Sequence, residues 1–107
     1  MSISSLLATN RIFINSEISS KKRLLELISE KVAEEISLPQ NTIYNKLLER
    51  ERLGSTGLGK GIAVPHARLG NIKDAHAYFI KLNTPINYDA IDRQKVDLIF
   101  VLFIPEE

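Results

Sequence analysis

The stretch Gly54-Ser55-Thr56-Gly57-Leu58-Gly59-Lys60-Gly61-Ile62-Ala63-Val64-Pro65-His66-Ala67-Arg68 has the residue types and spacing that chemistry needs. It holds four of the five glycines, opens on two hydroxyls and closes on a histidine that follows a proline. Glycines let the backbone take positive φ and bring bare N–H groups close to an anion. Pro65 fixes its own φ and stiffens the chain just before His66. A neutral imidazole is a good nucleophile near pH 7, since its usual pKa is about 6.5. Arg50, Arg52, Lys60 and Arg68 lie close by in sequence. A phosphoryl group in transfer spreads negative charge over three oxygens, which cations, hydroxyls and backbone N–H groups stabilise. One well-placed donor of this kind is worth roughly 3–4 kcal/mol. The stretch therefore suits reversible phosphorylation of His66 better than hydrolysis, since no second carboxylate or metal cluster stands ready to activate water.

Other readings of the same residues are weaker. Gly54 to Lys60 satisfies the G-x-x-x-x-G-K of a P-loop, but Gly61 stands where magnesium binding needs Ser or Thr. The order is also inverted, because a helix precedes the loop and a strand follows it. Arg50 keeps two readings. It is either a helix-surface partner of a neighbouring glutamate or a phosphate clamp at the end of the helix that feeds the loop. His76 falls in an alternating strand pattern, where a partly buried strand histidine is the plain reading. Two histidines without cysteine give no metal site, and no cofactor is implied. Lys21-Lys22-Arg23 is a basic trio at a helix start, where the macrodipole favours acids. It reads as solvated surface or as a contact for an acidic partner.

Several elements must position the loop. Ile3, Leu6 and Leu7 allow a short helical turn within Met1 to Asn10, and Ile12-Phe13-Ile14 reads as an edge strand. Ser19-Ser20 caps an amphipathic helix over Lys21 to Ile36, with Leu25, Ile28, Val32 and Ile36 on its apolar face. Pro39 breaks it. A second helix from about Asn41 to Arg52 buries Ile43, Leu47 and Leu48, with Tyr44 beside them, and Gly54 ends it in a left-handed conformation. Ile62-Ala63-Val64 forms a short strand. Lys73 to Leu82 alternates as a strand, with His76, Tyr78, Ile80 and Leu82 on one face, and Asn83-Thr84-Pro85 turns the chain. Val96 to Ile104 is almost continuously apolar, as expected of a strand buried on both faces. The order points to an α/β fold, a mixed sheet sandwiched between helices.

At 107 residues the chain is one domain. With 44% hydrophobic and 25% charged residues it is neither disordered nor fibrous. A net charge of +1 provides no bulk attraction to nucleic acid or membrane. The second helix carries Glu49 and Glu51 with little basic surface, which argues against DNA binding. The longest apolar run, Leu98 to Ile104, is too short to span a bilayer, and no signal peptide is visible, so a cytoplasmic protein is expected. The end at Pro105-Glu106-Glu107, directly after the most apolar strand, reads as a domain incomplete at its C-terminus.

Arg50-Glu51-Arg52-Leu53-Gly54-Ser55-Thr56-Gly57-Leu58-Gly59, followed by Gly61-Ile62-Ala63-Val64-Pro65-His66, resembles the active-site signature of type-2 IIA domains of the bacterial phosphoenolpyruvate-dependent phosphotransferase system (the fructose/mannitol class). Thr84-Pro85-Ile86, Asp89-Ala90-Ile91-Asp92 and Val96-Asp97-Leu98-Ile99-Phe100 are similar to the nitrogen-regulatory branch. The resemblance implies that His66 accepts a phosphoryl group on Nε2 from the phosphohistidine of an HPr-like carrier. It also implies that Arg50, Ser55 and Thr56 line the phosphate site. Phosphorylation would then act as a signal to regulatory target proteins. In the sugar branch the group would pass to a transporter's IIB domain instead. Family members continue past the last strand with helices and a second histidine beside the phosphorylated one, which His76 does not match. A non-catalytic interaction module is the reading that this departure leaves open.

Overall fold

The computed structural model describes residues 12–106, so the helical turn expected within Met1 to Asn10 lies outside the described residues. Strand β1 (Ile12–Ser16) leads into helix α1 (Lys21–Glu35), and helix α2 (Gln40–Arg52) follows after Pro39. Five strands complete the chain: β2 (Gly57–Gly59), β3 (Ile62–Ala63), β4 (His66–Leu69), β5 (His76–Ile86) and β6 (Val96–Pro105). Ser20 caps α1 by accepting from the Arg23 N–H at 3.2 Å, as its place before the apolar period predicts. Pro39 stands at the N-cap of α2, whose last turn carries Arg50 and Arg52, the sign its macrodipole favours.

The sheet runs β1-β5-β6-β3-β2, with β4 also on β6. It is mixed: β1 is parallel to β5, β5 is antiparallel to β6, and β3 and β4 are both parallel to β6. Ile62 pairs with Leu98 and His66 with Leu102, so one parallel register continues across Val64-Pro65. The ladder breaks there because Pro65 has no N–H to give, while its carbonyl still accepts from Leu102 N at 3.1 Å. His66 is therefore the first residue of a strand. This differs from the loop position expected from sequence, because the four residues of β4 are too few to show a period.

Leu24, Leu25, Ile28 and Val32 of α1 pack with Ile43 and Leu47 of α2 over Tyr78, Ile80, Leu82, Ile99, Val101 and Phe103 of the sheet. Leu48 and Tyr44 are only half-buried, at the margin of this core. Two further expectations are corrected. The chain does not turn at Asn83-Thr84-Pro85. Strand β5 continues to Ile86, which pairs with Val96 after a register shift, and an irregularity of this kind is where a strand tolerates proline. Strand β6 is also not buried on both faces. Ile99, Val101 and Phe103 are buried, but Phe100 is 41% exposed and Ile104 37%, since both described helices cover the opposite face. Alternation along a strand puts Leu98, Phe100, Leu102 and Ile104 on the open side, and the pairing with Leu102 places His66 there too.

Candidate functional site

His66 is half-buried at the start of β4, beside the C-terminal end of α2. Its Nδ1 lies 2.8 Å from the Val64 carbonyl oxygen, which can only accept, so Nδ1 carries the ring proton. Nε2 then holds the lone pair and accepts from Arg50 Nε at 3.2 Å. The two contacts together select the tautomer with the proton on Nδ1 and the lone pair on Nε2. Arg50 is steadied in turn by donating Nη1–H to the Gly54 carbonyl at 2.8 Å. The Arg50 side chain is thus turned toward His66 and the Gly54 carbonyl.

A cleft of about 720 Å³ opens over this pair, lined by Lys46, Glu49, Arg50, Arg52, Leu53, His66, Ala67, Arg68 and Ile104. Four of these side chains are cationic and one is anionic, so the cleft favours an anion although the whole chain is almost neutral. Arg52 and Arg68 are exposed on its rim. Lys60 sits elsewhere, at the first turn residue of the β2–β3 hairpin. There its φ of 56° and the 82° of Gly61 are the two positive values that a type I′ turn requires. The Lys60 N–H is held by Asp92 at 2.9 Å. This bond, and the one from Gln94 N, keep the Asp92 carboxyl below its ordinary range.

The other two candidate residues point elsewhere. Ser55 Oγ donates to the Tyr88 carbonyl at 3.2 Å and accepts from Gly57 N at 3.1 Å. Thr56 is buried, and its hydroxyl donates to Glu51 Oε2. Both hydroxyls are thus engaged away from the imidazole, and the site brings together His66 and Arg50 directly. The segment carrying Tyr88 lies hard against the loop: a Cβ at Gly57 would meet Ala90 Cβ at 2.7 Å.

Sequence reasoning missed Glu51, Tyr88 and Lys21. The Glu51 side chain is 4% exposed and lies 2.9 Å from Lys21 Nζ. The Tyr88 hydroxyl is 3.2 Å from Glu51 Oε2 and 2.9 Å from Thr56 Oγ1, and Lys21 Nζ stands 4.5 Å from the Tyr88 ring centroid. A signal for Lys21 was present. A cation in the first turn of a helix works against the macrodipole unless another charge compensates it, and Glu51 is that charge.

Burial, and then the Glu51 carboxylate, push the Tyr88 phenol far above its ordinary pKa of 10.0. The native state therefore keeps this proton after the unfolded chain has lost it. Stability from this group is complete below about pH 10 and falls as pH rises above it, by at most ~1.4 kcal/mol per pH unit. Urea unfolding between pH 9 and 11 is expected to show a steeper alkaline loss for the native sequence than for Tyr88→Phe. Equal slopes would refute the assignment.

Residues 5–107 match the model of the phosphoenolpyruvate-dependent sugar phosphotransferase system EIIA 2 family, and the chain belongs to that family. Within it, the similarity is to nitrogen regulatory proteins. That of Escherichia coli (strain K12) is 49% identical over 89 residues, covering 82% of this chain and 55% of its own length. That of Pseudomonas aeruginosa is 43% identical over 102 residues, covering 94% of this chain and 66% of its own. The crystal structure of nitrogen regulatory protein IIA-Ntr from Neisseria meningitidis superposes with a TM-score of 0.93 at 41% identity, covering 98% of this chain and 72% of that one. The IIA mannitol structure from Escherichia coli shares the fold, with a TM-score of 0.75 at 19% identity over 92% of this chain and 71% of its own. The chain thus spans about half the length of the Escherichia coli nitrogen regulatory protein. Among the described residues no helix is long and apolar enough to cross a membrane, and no cluster of three metal-ligating side chains occurs.

Proposed function

We propose that this chain is a phosphoryl carrier of the nitrogen-regulatory kind. It accepts a phosphoryl group on His66 Nε2 from the phosphohistidine of an HPr-like carrier and presents it as a regulatory signal to target proteins in the cytoplasm. The observation that carries the reading is the imidazole held between two partners, with Nδ1–H on the Val64 carbonyl and Arg50 on Nε2. The Nε2 lone pair attacks phosphorus, the N–P bond of the donor breaks, and the donor imidazole keeps the electron pair. Nδ1 retains its proton throughout, and the Val64 carbonyl stabilises the positive character that builds on the ring. Arg50 yields Nε2 to phosphorus and transfers its donors to the phosphoryl oxygens, a charge-assisted and potentially bidentate contact. Ser55 joins it by rotating its hydroxyl off the Tyr88 carbonyl. The cationic cleft supplies the field that draws the phosphoryl group in.

Intact-mass spectrometry after incubation with phosphoenolpyruvate, the first enzyme of the system and its histidine carrier tests this. An acid-labile gain of one phosphoryl group is expected, absent without carrier and absent in His66→Ala. A gain that survives His66→Ala refutes the acceptor assignment. No gain in a folded chain favours a binding module that takes no phosphate.

A further inference from the structure

We infer that Glu51, acting through Thr56, is a positioning residue that sets both hydrogen bonds of the His66 imidazole. The inference rests on the phosphoacceptor reading of His66 for its consequence in rate, although its geometry stands apart from it. Glu51 is the residue after Arg50 in the last turn of α2, and its carboxylate is turned inward while Arg50 points to the cleft. Oε1 accepts from Thr56 N at 3.1 Å and faces Lys21 Nζ, while Oε2 accepts from the Thr56 hydroxyl and is approached by Tyr88. Thr56 is thus gripped by backbone and side chain at once.

One hydrogen-bonded arm leaves Thr56 and a second leaves the turn that Glu51 and Thr56 close between them, and both end on His66. In the first, the Thr56 carbonyl accepts from Val64 N at 3.0 Å, and the Val64 carbonyl accepts the Nδ1 proton. In the second, the short segment between Glu51 and Thr56 fixes the Gly54 carbonyl, which accepts from Arg50 Nη1. Arg50 Nε then reaches Nε2. Gly54 N also donates to the Glu51 carbonyl at 3.1 Å, which closes the turn at the helix end. A carboxylate that only stapled a helix to a loop would need one such bond. This one specifies the partner of each ring nitrogen, and hence the tautomer that leaves Nε2 nucleophilic. The two-residue insulation matters chemically, because a carboxylate touching the imidazole would compete with the arriving phosphoryl oxygens for Arg50.

The test uses the full chain with Thr56→Val, which keeps the shape and removes the hydroxyl, Thr56→Ser, which restores it, and Glu51→Gln. Two readouts are taken on folded samples: the maximal rate of phosphoryl acceptance against the half-saturating carrier concentration, and the His66 ring nitrogens by 15N NMR. Thr56→Val and Glu51→Gln are expected to lower the maximal rate by roughly a hundredfold with the half-saturating concentration unchanged. They are also expected to shift His66 away from the Nδ1–H tautomer, and Thr56→Ser is expected to restore both. An unchanged tautomer in folded Thr56→Val overturns the inference, even if its melting temperature falls. If Glu51→Gln does not fold, the Thr56 pair decides alone. If the native sequence accepts no phosphoryl group, the phosphoacceptor reading fails while the NMR comparison still decides the positioning role.

Discussion

Arg50→Gln is expected to slow phosphoryl acceptance at His66 by about 10²–10³-fold, the usual cost of removing one preorganised donor to a developing anion. The expected sign is not trivial. Arg50 Nε sits on the Nε2 lone pair in this structure, so removing it also uncovers the nucleophile. If occupation of Nε2 were its whole effect, the variant would be faster. A loss says that the charge delivered to the phosphoryl oxygens outweighs the cost of leaving Nε2. Arg50→Lys is expected to fall between the two, because an ammonium keeps the charge but cannot hold the Gly54 carbonyl and Nε2 through one planar fork. Time-resolved intact-mass measurement of the three proteins checks the order. A rate for Arg50→Gln within threefold of the native sequence removes Arg50 from the phosphate site.

How far the sequence disclosed this arrangement depended on the range of the interaction that fixes each part. Helix α1 was legible because its apolar residues recur at helical spacing and Ser20 caps it locally. Strand β5 was legible over Tyr78, Ile80 and Leu82 because alternation is local as well. Its extension through Pro85 was not, since the pairing of Ile86 with Val96 is a long-range fact that overrides a turn-like composition. The glycine loop pointed to His66 and Arg50 through residue type and proximity in the chain. Which way Thr56 turns was beyond that logic. Its hydroxyl is claimed by Glu51, a residue whose inward orientation is decided by Lys21 at the far end of α1 and by Tyr88 from a later loop. A continuous apolar run says that a strand is central, but not that the helices accompanying it cover both faces.

Strand β6 turns that last point into a measurement, because its two phenylalanines share a strand and differ in what covers them. Phe103 is fully buried, meets Tyr78 edge-on with ring centroids 6.4 Å apart, and pairs with Ala67 next to His66. Phe103→Ala is expected to cost about 3–5 kcal/mol, the range for deleting a core aromatic side chain, where the cavity left behind adds to the lost transfer energy. That is a large fraction of the roughly 5–15 kcal/mol that holds a domain folded. Phe100 is 41% exposed and keeps one ring partner, Phe79, at 4.8 Å. Its replacement by alanine creates no enclosed cavity and forfeits a pair worth about 0.5–1.5 kcal/mol with a modest burial contribution. Urea midpoints are therefore expected to separate the two variants by several-fold in free energy, with Phe103→Ala the worse. Equal losses would mean that something covers the Phe100 face in solution. In that case the sheet carrying His66 would present a covered surface, and partners could approach the imidazole only through the cationic cleft between α2 and β4.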